Sequence, residues 1–225
     1  MKRKLSEGSI MEQIKRLLLS LLFYCISAFG VSLSIQVDIG VSAYNAMNVA
    51  LSAASGLKVG TVTTLFNFAF LLAYMILTKF RHPFKYVLQA VFVLIFGSLI
   101  NFYVYTILQN FAVHTYLMKL LVLSVGTVIS GLSVGMIIHY NVITFPIESF
   151  CVEMESCTSR KFAFFRYGVD LFSAAVSLGV SLAFGLPLYV REGTAVSMIL
   201  LTASMNISKE KMAKRLAIKE QNTLS

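Results

Sequence analysis

The chain has 225 residues, of which 57% are hydrophobic and 13% charged, and its 19 Lys and Arg against 10 Asp and Glu give a net charge of +9. Soluble domains carry about 25% charged residues, so this composition excludes water as the solvent of most of the chain. The basic residues gather at the ends of apolar segments, which is a membrane pattern and not the continuous basic patch that nucleic-acid binding needs.

Six stretches read as candidate spans in chain order: Leu17–Val37, Val59–Thr78, Tyr86–Gln109, Lys119–Tyr140, Phe162–Gly185 and Gly193–Ile207. The first five are long enough to cross about 30 Å of hydrocarbon at about 1.5 Å per residue. The sixth is short and would span only with local thinning or help from neighbours. Leu17–Val37 follows a basic start (Lys2, Arg3, Lys4, Lys15, Arg16). It is longer than the apolar region of a signal peptide and lacks a small-x-small exit, so a mature helix is expected.

Two further segments, Ala43–Ser55 and Phe145–Ser156, are too short to cross alone. The second also carries Glu148, Glu153 and Glu155, which are costly in hydrocarbon. Both are expected to be short helices that re-enter the bilayer or lie at its surface. With the N-terminus cytoplasmic and neither segment crossing, only Lys58, Lys119 and Arg191 of the 19 basic residues lie outside. The bias holds if both segments cross and collapses if one does, so the positive-inside rule allows both or neither, and length selects neither. Both termini are then cytoplasmic. The tail 208–225, with Lys209, Lys211, Lys214 and Arg215, would lie on the anionic inner leaflet. Ile10, Ile14 and Leu17 beside Lys15 and Arg16 form a similar stretch at the start.

Sliding the chain on itself by 103 residues sets Ser27 on Ser130, Val31 on Val134, Ile35 on Ile138 and Val49 on Val152. The same register sets Asp38 on Asn141, Asn45 on Glu148 and Asn67 on Asp170. Each half, 17–109 and 117–207, then reads as span, short helix, span, span. Three spans per unit make the second copy start from the opposite side, so the repeats would be inverted. Transporters and channels place their sites at such repeat interfaces, beside short or broken helices. The expected fold is all-α: one polytopic membrane bundle of about six transmembrane helices in two repeated halves, each with a short non-spanning helix.

Val37–Gly60, VDIGVSAYNAMNVALSAASGLKVG, resembles the signature of the YczE/YitT-like bacterial membrane proteins. That signature is a stretch of alanine or aspartate, x, glycine, x, serine, proline, aromatic and aspartate, followed by a small-residue helix and a glycine-rich return. Asp38, Gly40, Ser42 and Tyr44 fit it, with Ala43 in place of the proline and Asn45 in place of the aspartate. The second copy has Pro146 and Glu148, and Arg166, Asp170 and Gly193–Thr194 match the family's second half. The resemblance implies a multi-pass protein of the bacterial cytoplasmic membrane and supplies no substrate.

The candidate substrate-binding residues are Asp170, Arg166, Glu148, Asn45 and Asn67. Asp170 and Arg166 stand four apart on one face of a span, where ionised groups must pair or face a cavity. A purely structural pair is the competing reading. Glu148 follows Pro146 in the first turn of the second short helix, where a carboxylate also suits the positive helix end. Asn45, Asn48 and Asn67 are its polar counterparts in the first half, or else interhelical hydrogen bonds worth about 0.6 kcal/mol each. Asp38 ends the first span as an interfacial or capping residue.

Cys25, Cys151 and Cys157 have no pairing spacing and are expected to be free thiols. His82, His114 and His139 lack metal-ligand spacing, and no nucleophile motif or phosphate loop appears. No catalytic residue, metal or cofactor is therefore expected, and the protein is not read as an enzyme. Gly131 and Gly135, and Ser173, Ser177 and Ser181, are small-residue stripes for close helix packing inside the bundle, or for a homodimer or partner membrane protein. The sequence reads best as a small-solute transporter or channel-like protein with the bilayer as its other partner. The alternatives are a membrane scaffold or regulator, and a vitamin-type binding subunit of a multi-component importer.

Overall fold

The computed structural model describes the backbone of residues 7–140 and 142–224 and the side chains of residues 11–140 and 142–208. The described residues form eight α-helices and no strand: α1 Glu7–Gln36, α2 Ala43–Ser55, α3 Val59–Leu77, α4 Pro83–Phe102, α5 Tyr116–Tyr140, α6 Pro146–Cys157, α7 Phe162–Phe184 and α8 Glu192–Leu224. Five of them, α1, α3, α4, α5 and α7, are long and apolar enough to cross a membrane. α4 continues into a π-helical turn, Tyr103–Ile107. The two short segments are helices at the expected places.

The sixth expected span differs from the others. Gly193–Ile207 opens a helix of 33 residues, so it is not short as a helix. Its apolar part is nevertheless brief, because the lysines begin at Lys209. The basic tail and Ile10 lie outside the residues whose side chains are described, as does Asn141, the counterpart of Asp38.

Punctuation residues set the boundaries. α4 and α6 each start on a proline, whose missing N–H would be unpaired there in any case. α2 and α7 end on Gly56 and Gly185 in the left-handed region (φ 72° and 62°), where each glycine N–H reaches back to a serine carbonyl. Around an apolar core that includes Tyr24, Phe96, Ile100 and Ile137, burial departs from that of a soluble domain. Leu18, Leu72, Leu94, Leu121, Leu171 and Leu182 are exposed, while Ser20, Ser27, Ser32, Ser130, Ser173, Ser177 and Ser181 are buried. In hydrocarbon, leucines gain nothing by turning inward, and small residues let backbones approach.

The contacts between helices fix their directions. Ser27 meets Ser130 and Gly30 meets Gly126, so α1 and α5 are antiparallel. Tyr24 packs on Phe92 and Phe29 on Tyr103, so α1 and α4 are parallel. Gly60 meets Asn101 and Tyr74 meets Tyr86, so α3 and α4 are antiparallel. Thr127 meets Ser197 and Gly135 meets Met205, so α5 and α8 are parallel. α3 therefore runs back along the direction of α1, with α2 not crossing between them. Likewise, parallel α5 and α8 leave room for one crossing between them, which the 23-residue α7 supplies and the 12-residue α6 is too short to make. α2 packs on α7, and α6 packs on α3.

Gly131 and Gly135 serve packing within the bundle, since a Cβ on either would meet the α8 backbone at Leu201 O (2.9 Å) or Met205 O (2.5 Å). At one end of the bundle, Gly40 holds φ 99° in the α1–α2 return, where the backbone meets the start of α8. There the Gly193 N–H donates to Ile39 O (3.1 Å), and Arg191 donates to the carbonyl of the exposed Asp38. Asp38 is thus an exposed turn residue, as its place at the end of the first span suggests.

Candidate functional site: a cavity between the helices

All eight helices contribute to one central cavity. α1 gives Ser27, Val31 and Ser34, α3 gives Asn67, α4 gives Phe96, α5 gives Thr127, Ser130 and Val134, α7 gives Arg166 and α8 gives Leu201. The remaining lining comes from the starts of the two short helices: Ser42, Tyr44 and Asn45 at α2, and Phe145, Ile147 and Glu148 at α6. The two short helices thus bring their N-termini, with unpaired N–H groups and positive dipole ends, to the same space. The empty space is about 660 Å³ with open solvent at its mouth included, and the cavity volume in which water centres fit is about 80 Å³. A water needs about 10–15 Å³ by the latter measure, so the room suits a handful of waters or a solute of few heavy atoms.

The charged part is a buried triad. The Arg166 Nη1 donates to Asp170 Oδ1 at 2.6 Å, one helical turn away on α7. Arg166 Nε lies 4.0 Å from Glu148 Oε1, an ion pair too long for a hydrogen bond. The three side chains are 5–9% exposed, so solvent screening is nearly absent. Glu148 Oε2 is buried and has no hydrogen-bond partner among the described residues.

The uncharged lining is partly self-satisfied. Ser27 and Ser130 share a hydrogen bond at 3.1 Å across the α1–α5 contact. Ser34 donates to Gly30 O (3.0 Å), and the Asn67 amide donates to Thr63 O (2.9 Å), which leaves each oxygen's remaining capacity for the cavity. Asn48, one turn along α2, is fully buried with both amide atoms unpartnered, as is the Tyr44 hydroxyl.

Asn45, Asn67, Glu148 and Arg166 stand together in the lining, and Asp170 sits directly behind Arg166. Ser27 and Ser130 enter the sequence reading only as a repeat pair, yet they bond across the cavity wall. Tyr44 enters only through a family signature. One polar group has no place in that reading. Gln89 on α4 donates to Thr144 O (2.8 Å) and Ser149 Oγ (2.7 Å), pinning the return before α6 to a spanning helix. A lone glutamine inside an apolar run is the available signal.

The three cysteines are free thiols, with Cys151 buried and Cys157 exposed. His139 lies beside Tyr140 (ring centroids 5.7 Å), and no group of three His, Cys, Asp or Glu among the described residues could hold a metal.

A family model covers most of this chain: residues 14–210 match a family described as a family of unknown function (DUF6198), and the chain belongs to it. No curated protein and no solved structure matches the chain.

Proposed function

We propose that this member of a family of unknown function is a small-solute transporter or channel-like membrane protein whose site is the central cavity. The observation that carries the reading is the convergence of both short-helix N-termini, with Asn45 and Glu148, on one cavity between the helices. Non-spanning helices that point into a cavity between spans are how transporters build solute sites in hydrocarbon. The two halves are inverted repeats of one unit. The 103-residue register supports this, because Ser27 and Ser130, Val31 and Val134, Ser42 and Phe145, Tyr44 and Ile147, and Asn45 and Glu148 all line the cavity in register. The exchanged packing of α2 on α7 and α6 on α3 supports it too. The positive-inside count supports a cytoplasmic position for both termini, and the YczE/YitT-like signature supports the bacterial cytoplasmic membrane. The small room favours a solute of few heavy atoms over a vitamin-sized ligand, and so over an importer's binding subunit.

The test is a thermal-shift screen of small cationic, neutral and anionic solutes against the purified full chain. A ligand that binds only the folded protein at about 100 times its Kd adds about 2.7 kcal/mol, several degrees of melting temperature. Val134→Phe, which fills the cavity from α5, is expected to keep the melting temperature near wild type and abolish the shift. Asp170→Asn is expected to do the same, since it leaves Arg166 and Glu148 as a balanced pair. A shift that survives Val134→Phe, or the absence of any shift across all three charge classes, would reject the central site.

A further inference from the structure

Resting on that reading of the cavity, we infer that the site takes a small monovalent cation, a metal ion or an ammonium, in exchange for a proton carried on Glu148. Charge decides this. The triad holds two carboxylates and one guanidinium, and among the described residues no other charged side chain lines the cavity. With both acids ionised, one negative charge is in excess at a depth where an uncompensated charge is costly.

Geometry assigns the excess to Glu148. Asp170 is bonded directly to Arg166, whereas Glu148 approaches the same guanidinium only at 4.0 Å. Its second oxygen is buried with no hydrogen-bond partner among the described residues, and Glu148 is one of the residues that line the cavity. Two states of the site are neutral: a proton on Glu148, or a cation beside the ionised carboxylate. An empty, deprotonated site carries a negative charge, and a protonated site with a cation carries a positive one. An anion would add to the excess or leave it in place even with Glu148 protonated. The remaining ligands suit a hard cation, since the hydroxyls of Ser27, Ser42 and Ser130 and the amides of Asn45 and Asn67 offer oxygen atoms.

The other titratable groups that face Glu148 do not compete for this role. They are Tyr24 on α1, Tyr44 on α2 and Cys151 on α6 itself, besides Arg166 and Asp170 on α7. Phenols and thiols ordinarily ionise above about pH 8. α3, α4, α5 and α8 present only uncharged side chains to the cavity. Cation entry releases the Glu148 proton to water, and cation exit takes one back. Because both neutral states are filled, the site trades one for the other and does not stand empty.

The experiment uses the full chain in detergent with sodium, potassium and ammonium chlorides as probes, and choline chloride to hold ionic strength. In weakly buffered solution, at least one probe is expected to release about one proton per cation bound. Its melting-temperature shift should weaken as the pH falls, with apparent affinity dropping about tenfold per pH unit below the titration of Glu148. Glu148→Gln and Asp170→Asn, both neutral without a cation, should fold and lose the shift and the proton release together. The exchange is overturned if no probe shifts the wild type, if binding releases no proton, or if Glu148→Gln keeps the pH dependence. Wild-type proton release decides the matter even if a variant fails to fold. A neutral or anionic solute whose shift is lost in Val134→Phe would keep the cavity as the site and overturn the exchange. Silence from all classes of solute would overturn both.

Discussion

Arg166→Met should lower the stability of the folded protein by about 3–5 kcal/mol, the cost of breaking a buried ion pair by removing one partner. The guanidinium is the sole positive charge lining the cavity among the described residues, and it faces both Asp170 and Glu148. Without it two carboxylates share a space with no compensating cation, and protonating both is the only relief. The loss should therefore be recovered in large part by Arg166→Met combined with Asp170→Asn and Glu148→Gln, because well-packed uncharged groups are often as stable as a buried ionic network. Asp170→Asn alone should cost far less, since its amide oxygen still accepts from Arg166 and Glu148 balances the charge. Denaturant or thermal unfolding of the four proteins in one detergent reads this directly. Equal destabilisation of Arg166→Met and the triple variant would show that the arginine acts by packing alone.

Gly60→Ala should be the most damaging single methyl added to the chain. A Cβ there would run into the Gly97 carbonyl oxygen, and would come within 2.7 Å of the Asn101 Oδ1 that accepts the Gly60 N–H. The reciprocal Cβ at Gly97 would strike Thr64 Oγ1 and lie 2.5 Å from Gly60 O. Backbone oxygens cannot swing aside, so α3 and α4 must separate. That breaks the bonds from Gly60 to Asn101 and from Val59 to the Tyr105 hydroxyl, which the π-helical turn brings into reach. Overpacking costs about 1–3 kcal/mol before the lost hydrogen bonds are added. Gly179→Ala is the control. That glycine is also helical but has nothing within 4 Å of the added Cβ, so its melting temperature should equal that of wild type or rise by a few degrees, since alanine favours a helix over glycine by up to about 1 kcal/mol. A Gly60→Ala protein as stable as Gly179→Ala would mean that the helices are not held at that distance.

Several features of this molecule are legible in the residue order because they depend on the solvent around each segment. Runs of apolar residues near 20 long, broken by Pro146, Gly56 and Gly185, locate α3, α7 and both short helices to within a residue, whereas α1, α4 and α5 begin three to ten residues before their expected starts and α8 runs 17 residues past its expected end. The triad is also legible in part, since Arg166 and Asp170 share a helical face by spacing alone. The 103-residue register pairs Ser27 with Ser130 from residue order alone, and the two hydroxyls do meet.

Other features depend on which surfaces meet, and no local pattern carries that. Gly60 and Gly97 are isolated glycines on different helices, and their value appears only where α3 crosses α4. Gln89 reads as a stray polar residue until the return at Thr144 and Ser149 folds onto it. The apolar part of α8 understates its length, because a helix continues past the end of hydrophobicity wherever backbone bonds remain available. The lengths of the apolar runs by themselves determine an all-α chain with five helices long and apolar enough to cross a membrane and two short ones, since hydrocarbon demands that backbone groups be paired within each segment. Tertiary structure alone decides that the two short-helix N-termini, the serines, Glu148 and Arg166 surround one cavity. That convergence is set by packing between helices far apart in the chain, α2 on α7 and α6 on α3, which no local pattern encodes.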